Sequence, residues 1–158
     1  MGDAAERVAA GLLACDQTVA VAESCTGGGV GACLTARGGS SAYFLGGVIA
    51  YANRIKAALL GVQESILERH GAVSAPVAEE MAIGVRARCG ADYGIAVTGI
   101  AGPDGGTEEK PVGLVFVAVA SGQGCHVLEL RLTGDRPAIR KPSVDAALGL
   151  LLETLHSA

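Results

Sequence analysis

The chain has 158 residues, half of them hydrophobic, and a formal net charge of −4, which fits one substantial core and not two independent ones. With no tryptophan, three tyrosines and two phenylalanines, it lacks the aromatic platform on which single-stranded nucleic acid stacks, and no run of Lys or Arg supplies a footprint for phosphate backbones. No apolar run approaches the roughly 18 residues of a membrane span, and residues 1–16 lack the basic start and apolar centre of a secretory signal, so a cytoplasmic chain with no membrane or nucleic-acid partner is expected.

In chain order, residues 3–15 place Val8, Leu12 and Cys15 on one helical face, with Asp3 as a candidate N-cap. Residues 18–23 are short, apolar and β-branched, and Ser24 to Gly29 then breaks the pattern before VGACLTA, which reads as strand, glycine-rich loop, helix. Gly38-Gly39-Ser40-Ser41 ends that helix, and residues 43–51 form a strand in which Gly46 and Gly47 mark a bulge or bend. Three helical stretches follow, from Asn53, over Gln63–Arg69, and over Pro76–Arg88, the last opened by proline and stopped by Gly90. A second strand, 93–98, again runs into a glycine loop, Gly99 to Gly106. Residues 112–120 and 126–132 then flank Ser121 to Gly124 as a β-hairpin. A helix over 135–155 closes the chain, and Pro142 inside it predicts a kink or a later start. Helices and strands alternating in this order predict an α/β fold: one domain over 1–158, a three-layer α/β/α sandwich around a mixed sheet of about five strands.

Five cysteines with no C-x-x-C pair are expected to be reduced and mostly buried, and three dispersed histidines offer no metal-ligand spacing. Thirteen of the 24 glycines fall within 24–47 and 98–113, only 40 residues of the chain. Two strands that each end in such a loop fit the rule that open α/β sheets bind ligands beyond the carboxyl ends of their strands, so a phosphate-bearing small molecule is expected. Neither loop carries the P-loop or dinucleotide glycine pattern, which argues against an ATP or NAD site.

The nucleophile candidates beside these loops are Ser24, Thr26, Ser40, Ser41 and Thr98, and no histidine lies near them in sequence. Lys56, one of three lysines, sits among Ala, Leu and Ile, where desolvation lowers an amine from about 10.4 toward neutrality. A neutral amine accepts a serine proton.

The strings Ala22-Glu23-Ser24-Cys25-Thr26-Gly27-Gly28, Gly39-Ser40-Ser41, Gly46-Gly47, Tyr51-x-Asn53-x-x-Lys56, Gly71-Ala72-Val73-Ser74, Thr98-Gly99-Ile100-Ala101-Gly102-Pro103 and Lys110-Pro111-Val112-Gly113 together resemble the CinA carboxy-terminal domain family over roughly 19–140. The resemblance implies a stand-alone form of that domain, a serine amidohydrolase that deamidates nicotinamide mononucleotide to nicotinic acid mononucleotide in pyridine nucleotide salvage. The alternative is a non-catalytic nucleotide-binding or regulatory module of the same fold. By the same resemblance Ser41 is the nucleophile, Lys56 the base and Tyr51 a supporting hydroxyl. The substrate is expected to be held by Ser24, Thr26, Gly27, Gly28, Thr98, Arg136 and Arg140. Amides near Ser41 or the Thr98 hydroxyl would serve the oxyanion. No cofactor or metal is called for, and self-association into a homo-oligomer is implied.

Geometry raises an objection to the Ser41–Lys56 pair. Eight strand residues at about 3.3 Å each hold their ends more than 20 Å apart. The two residues meet only if Gly46 and Gly47 bend the segment, if the flanks fold back, or if a second subunit completes the site. If they do not meet, Ser24 or Thr98 takes the nucleophile's place.

Overall fold

The computed structural model describes residues 2–157. Its helices are α1 (Gly2–Ala14), α2 (Gly29–Leu34), α3 (Asn53–Leu60), α4 (Glu64–His70), α5 (Ala75–Cys89) and α6 (Arg136–Ser157). Its strands are β1 (Val19–Glu23), β2 (Phe44–Ile49), β3 (Tyr93–Gly99), β4 (Leu114–Ser121) and β5 (Gly124–Arg131), with a 3-10 turn at Ser40–Ala42. The predicted order of elements is reproduced, with boundaries shifted by a few residues. The five strands form one sheet in the order β2-β1-β3-β4-β5. β1 runs parallel to both β2 and β3, and β4 and β5 are added antiparallel. The carboxyl ends of β1, β2 and β3 therefore open on the same edge.

Strand alternation sorts the core into two unlike halves. On one face Val19, Val21, Ile95, Val97, Val115, Val117 and Val119 pack with Val8 and Leu12 of α1, Val30 and Leu34 of α2, and Leu148 and Leu151 of α6. On the other, Ala20, Ala22, Ala96, Ala118 and Ala120 meet Val77, Met81, Ala82 and Val85 of α5. The second face is small enough for α5 to lie almost on the backbone of the sheet. A Cβ on Gly94 would overlap the Ala82 carbonyl oxygen, and one on Gly84 would overlap the Leu60 carbonyl oxygen. Part of the glycine and alanine excess is thus a packing requirement of the sheet's interior.

Tyr43 is 1 % exposed and donates its hydroxyl to the Leu34 carbonyl at 2.6 Å, so it belongs to the core. Pro142 lies within α6 and does not delay its start. Asp135 accepts the Ala138 amide at 3.1 Å and caps the helix before Pro142 is reached. The cysteines are less buried than expected: Cys25 is buried, Cys15 exposed, and Cys33, Cys89 and Cys125 half-buried. Among the described residues no helix is long and apolar enough to cross a membrane.

Gly94→Ala is expected to destabilise the fold by about 1–3 kcal/mol, because α5 must lift from the sheet to admit a methyl group. A urea titration with a lower midpoint and an unchanged slope checks it.

Candidate active site

Where β1 ends, Ser24 begins a turn of small residues leading into α2, and its amide still pairs with the Val97 carbonyl of β3 at 2.9 Å. Where β2 ends, Ala50 and Tyr51 lead into α3, and its first turns carry Lys56 back over the edge of the sheet. The Lys56 side chain is 1 % exposed. Its Nζ lies 2.7 Å from the Ala50 carbonyl, 3.0 Å from the Tyr51 carbonyl and 3.1 Å from Ser24 Oγ. Burial lowers the amine below its ordinary value, and the nearby Cys25 opposes this only weakly.

Nζ thus has three partners, the third being the Ser24 hydroxyl; in the neutral form, which burial favours, that third direction is a lone pair facing the hydroxyl. Cys25, the next residue, is a poor rival nucleophile because burial pushes its thiol up to about 11.

Ser41 is elsewhere. It sits exposed in the 3-10 turn that precedes β2, whereas Lys56 follows β2. The six residues of that strand separate them by about 20 Å. The expected Ser41–Lys56 pair does not form within the chain, neither Gly46 nor Gly47 folds the segment back on itself, and the amides near Ser41 are at the wrong end for an oxyanion. The serine that Lys56 meets is Ser24.

The cleft around this pair has a volume of about 190 Å³ and is lined by Ser24, Tyr51, Lys56, Val73, Thr98 and Arg136, among others. The Tyr51 hydroxyl stands at its mouth, 3.3 Å from Arg136 Nη2, and it is the Tyr51 carbonyl that touches Lys56. Thr98 donates its hydroxyl to the Ala72 carbonyl at 2.8 Å and is thereby committed to holding the cleft wall. Arg136 donates to the Gly102 carbonyl at 2.9 Å. Lys110 donates to the carbonyls of His70 and Val73, tying the same wall from across the sheet edge. Larger surface hollows exist, such as the 450 Å³ one between α3 and α4, but it offers no serine or lysine.

The glycine-rich turn departs most from expectation. The Glu23 carboxylate, 1 % exposed, accepts the amides of Gly28 at 3.1 Å, Val30 at 3.1 Å and Gly31 at 2.9 Å. The Gly27 amide goes to the Ser24 carbonyl and that of Gly29 to the Thr26 carbonyl. The amides expected to hold a phosphate are thus satisfied internally. Arg140 is also committed to the turn, donating from Nε to the Cys25 carbonyl at 3.0 Å and from Nη2 to the Thr26 carbonyl at 2.9 Å. The Thr26 hydroxyl is buried and has no hydrogen-bond partner. Glu23 went unassigned in the sequence, although an acid at a strand end, five to eight residues before the first amides of a helix, is itself a capping signal. The carbonyls that seat Lys56 leave no trace in residue type.

The family model of the CinA C-terminal domain matches residues 2–155. A CinA-like protein from a Synechococcus strain is 63% identical over 139 residues, covering 86% of this chain and 33% of the relative. One from Mycobacterium marinum is 52% identical over 98% of this chain and 36% of the relative. The chain spans about a third of the length of these curated relatives. Among solved structures, a competence-damaged protein (CinA) superfamily member from Klebsiella pneumoniae superposes with TM-score 0.95 at 34% identity, covering 99% of this chain and 98% of that one. The competence/damage inducible protein CihA from Agrobacterium tumefaciens gives TM-score 0.93 at 40% identity over 98% and 94%.

Glu23→Ala strands three amide donors inside the turn and is expected to cost on the order of 3 kcal/mol. Glu23→Gln, which keeps one acceptor oxygen, should recover part of the loss in the same unfolding experiment.

Proposed function

Because the chain belongs to the CinA C-terminal domain family, we propose that it is an amidohydrolase that deamidates nicotinamide mononucleotide, with Ser24 as nucleophile and Lys56 as base. The observation that carries this reading is the buried amine whose two donors are taken by the Ala50 and Tyr51 carbonyls while its third direction faces Ser24 Oγ at 3.1 Å. A binding module has no need of a desolvated lysine aimed at a serine.

In this reading Lys56 takes the Ser24 proton as Oγ attacks the carboxamide carbon, and the C=O electron pair moves onto oxygen. When the tetrahedral adduct collapses, the C–N bond breaks and the Lys56 ammonium gives its proton to the departing nitrogen, releasing ammonia. The acyl group is then an ester of Ser24. Water, giving a proton to Lys56, attacks this ester, and the serine leaves reprotonated with nicotinic acid mononucleotide as product. The amides of Cys25 and Thr26, next in sequence to the nucleophile, lie on the side where the oxyanion forms.

The cleft, at 190 Å³, is smaller than the roughly 300 Å³ of common ligand sites, so it suits the pyridine ring while the ribose and phosphate lie across the mouth near Tyr51 and Arg136. Charge supports an anionic substrate. Among the described residues the one ion pair is Arg131–Glu129, at 2.8 Å. Arg136 and Lys110, at the cleft and its wall, are held by carbonyls and by the Tyr51 hydroxyl and keep their positive charges without a carboxylate partner.

Purified protein incubated with nicotinamide mononucleotide is expected to release ammonia. Ser24→Ala and Lys56→Ala should each lower kcat by at least about 1,000-fold, while Ser41→Ala retains full activity. Loss of activity in Ser41→Ala with retention in Ser24→Ala would reverse the assignment. Since only the neutral amine accepts the serine proton, kcat/KM should rise with pH along a single-proton limb. Its midpoint should lie below the ordinary lysine value of about 10.4, and activity should fall as acidification protonates Lys56.

A further inference from the structure

We infer that Arg140 is a positioning residue that aims the Thr26 amide directly, and the Cys25 amide through Gly27, at the carbonyl oxygen under attack, and that it does not hold the phosphate of the substrate. The inference rests on the reading of Ser24 as nucleophile. A trans peptide is planar, and its C=O and N–H point in opposite directions, so whatever holds a carbonyl also sets the direction of the amide in the same peptide unit.

The units after Ser24 are each held by the carbonyl. The Ser24 carbonyl accepts the Gly27 amide at 3.1 Å, which directs the Cys25 N–H the opposite way. The Cys25 carbonyl accepts Arg140 Nε at 3.0 Å, which directs the Thr26 N–H away from the guanidinium. The Thr26 carbonyl accepts Arg140 Nη2 at 2.9 Å. One rigid guanidinium thus spans two consecutive carbonyls from a helix more than a hundred residues further along the chain. Gly27, with φ +59°, leaves it room, since a Cβ there would stand 3.3 Å from Nη2.

The amides of Ser24, Gly27, Gly28, Gly29, Val30 and Gly31 all have acceptors within the protein. Among the described residues no oxygen accepts those of Cys25 and Thr26, the Cys25 amide meeting only its own thiol, although the two residues are only 4 % and 1 % exposed. Buried amides without acceptors are costly unless a ligand oxygen takes them. Two in succession, immediately after the proposed nucleophile, form the donor pair that an acyl-transfer oxyanion requires. With Nε and Nη2 both engaged on the turn, the Nε/Nη2 edge of Arg140 is not open to a bidentate grip on phosphate, and only Nη1 and the second Nη2 hydrogen are left over.

The test compares Arg140→Met and Arg140→Lys with the unmodified protein on nicotinamide mononucleotide and on nicotinamide riboside, which lacks the phosphate. A thermal melt confirms folding. Misaimed donors should lower kcat by about 100-fold on both substrates with KM nearly unchanged. Arg140→Lys, a point charge that cannot span both carbonyls, should fall in between, and it carries the test alone if the methionine variant fails to fold. A rise in KM confined to the mononucleotide would make Arg140 a phosphate ligand and overturn the inference, as would full activity in both variants.

Labelling of Ser24 by a fluorophosphonate, read by mass spectrometry, separates this inference from the choice of substrate, because the phosphoryl oxygen needs the same donors. If the unmodified protein releases no ammonia yet labels at Ser24, the proposed substrate is wrong. Slowed labelling in the variants then still supports the positioning role, and equal labelling overturns it. No labelling of the unmodified protein would overturn both readings.

Discussion

A lysine that is 1 % exposed must find its hydrogen-bond partners inside the protein, and among the described residues Lys56 has no carboxylate beside it. Desolvation disfavours its charged form and lowers its pKa. The fold meets this constraint with main-chain oxygen. Ala50 and Tyr51 are the first two of the three residues between β2 and α3, and their carbonyls converge on Nζ because the chain turns there from strand to helix. The lone pair is left to Ser24, at the end of the neighbouring parallel strand. Strand order, the length of the β2–α3 connection and the lowered pKa of the amine are therefore one arrangement.

That arrangement depends on a sheet that is thin on one side. The face toward α5 carries alanine and glycine from β1, β3 and β4, so α5 sits close enough for Gly94 to touch the Ala82 carbonyl. α5 begins at Ala75, directly after the Gly71–Ser74 segment whose Ala72 and Val73 form one wall of the cleft. The depth of α5 thus fixes where that wall stands. Thr98 and Lys110 pin the wall through its carbonyls at Ala72, Val73 and His70.

The element order, the mixed five-stranded sheet, the family and the desolvated Lys56 were all legible in the residues. Which serine Lys56 meets was not, and topology explains why. Gly39-Ser40-Ser41 and Ser24-Cys25-Thr26 look alike as small-residue loops, but the first precedes a strand and the second follows one. In parallel strands those positions lie at opposite edges of the sheet, so the rule that sites form beyond carboxyl ends selects Ser24 once β1 and β2 are known to be parallel. Tyr43, beside the first of these loops, is a core residue whose hydroxyl donates to the Leu34 carbonyl of α2. The carbonyl contacts of Lys56, Arg140 and Lys110 were beyond reach, because every residue type offers the same carbonyl.

The same turn shows why glycine richness at a helix start does not by itself mark a phosphate site. A helix N-terminus carries at most about half a positive charge, and α2 is only six residues long. The Glu23 carboxylate occupies the first amides of this helix, so they are not open to an anion. An anionic ligand entering the cleft is drawn instead toward Arg136, which stands at the mouth with its charge unpaired. Glu23 and Arg140 then act on the turn as opposite charges of one clamp. The carboxylate gathers the amides that follow the turn, and the guanidinium gathers the carbonyls within it. Between them, among the described residues, they leave the Cys25 and Thr26 amides without an oxygen acceptor, beside the Ser24 hydroxyl that lies 3.1 Å from Lys56 Nζ.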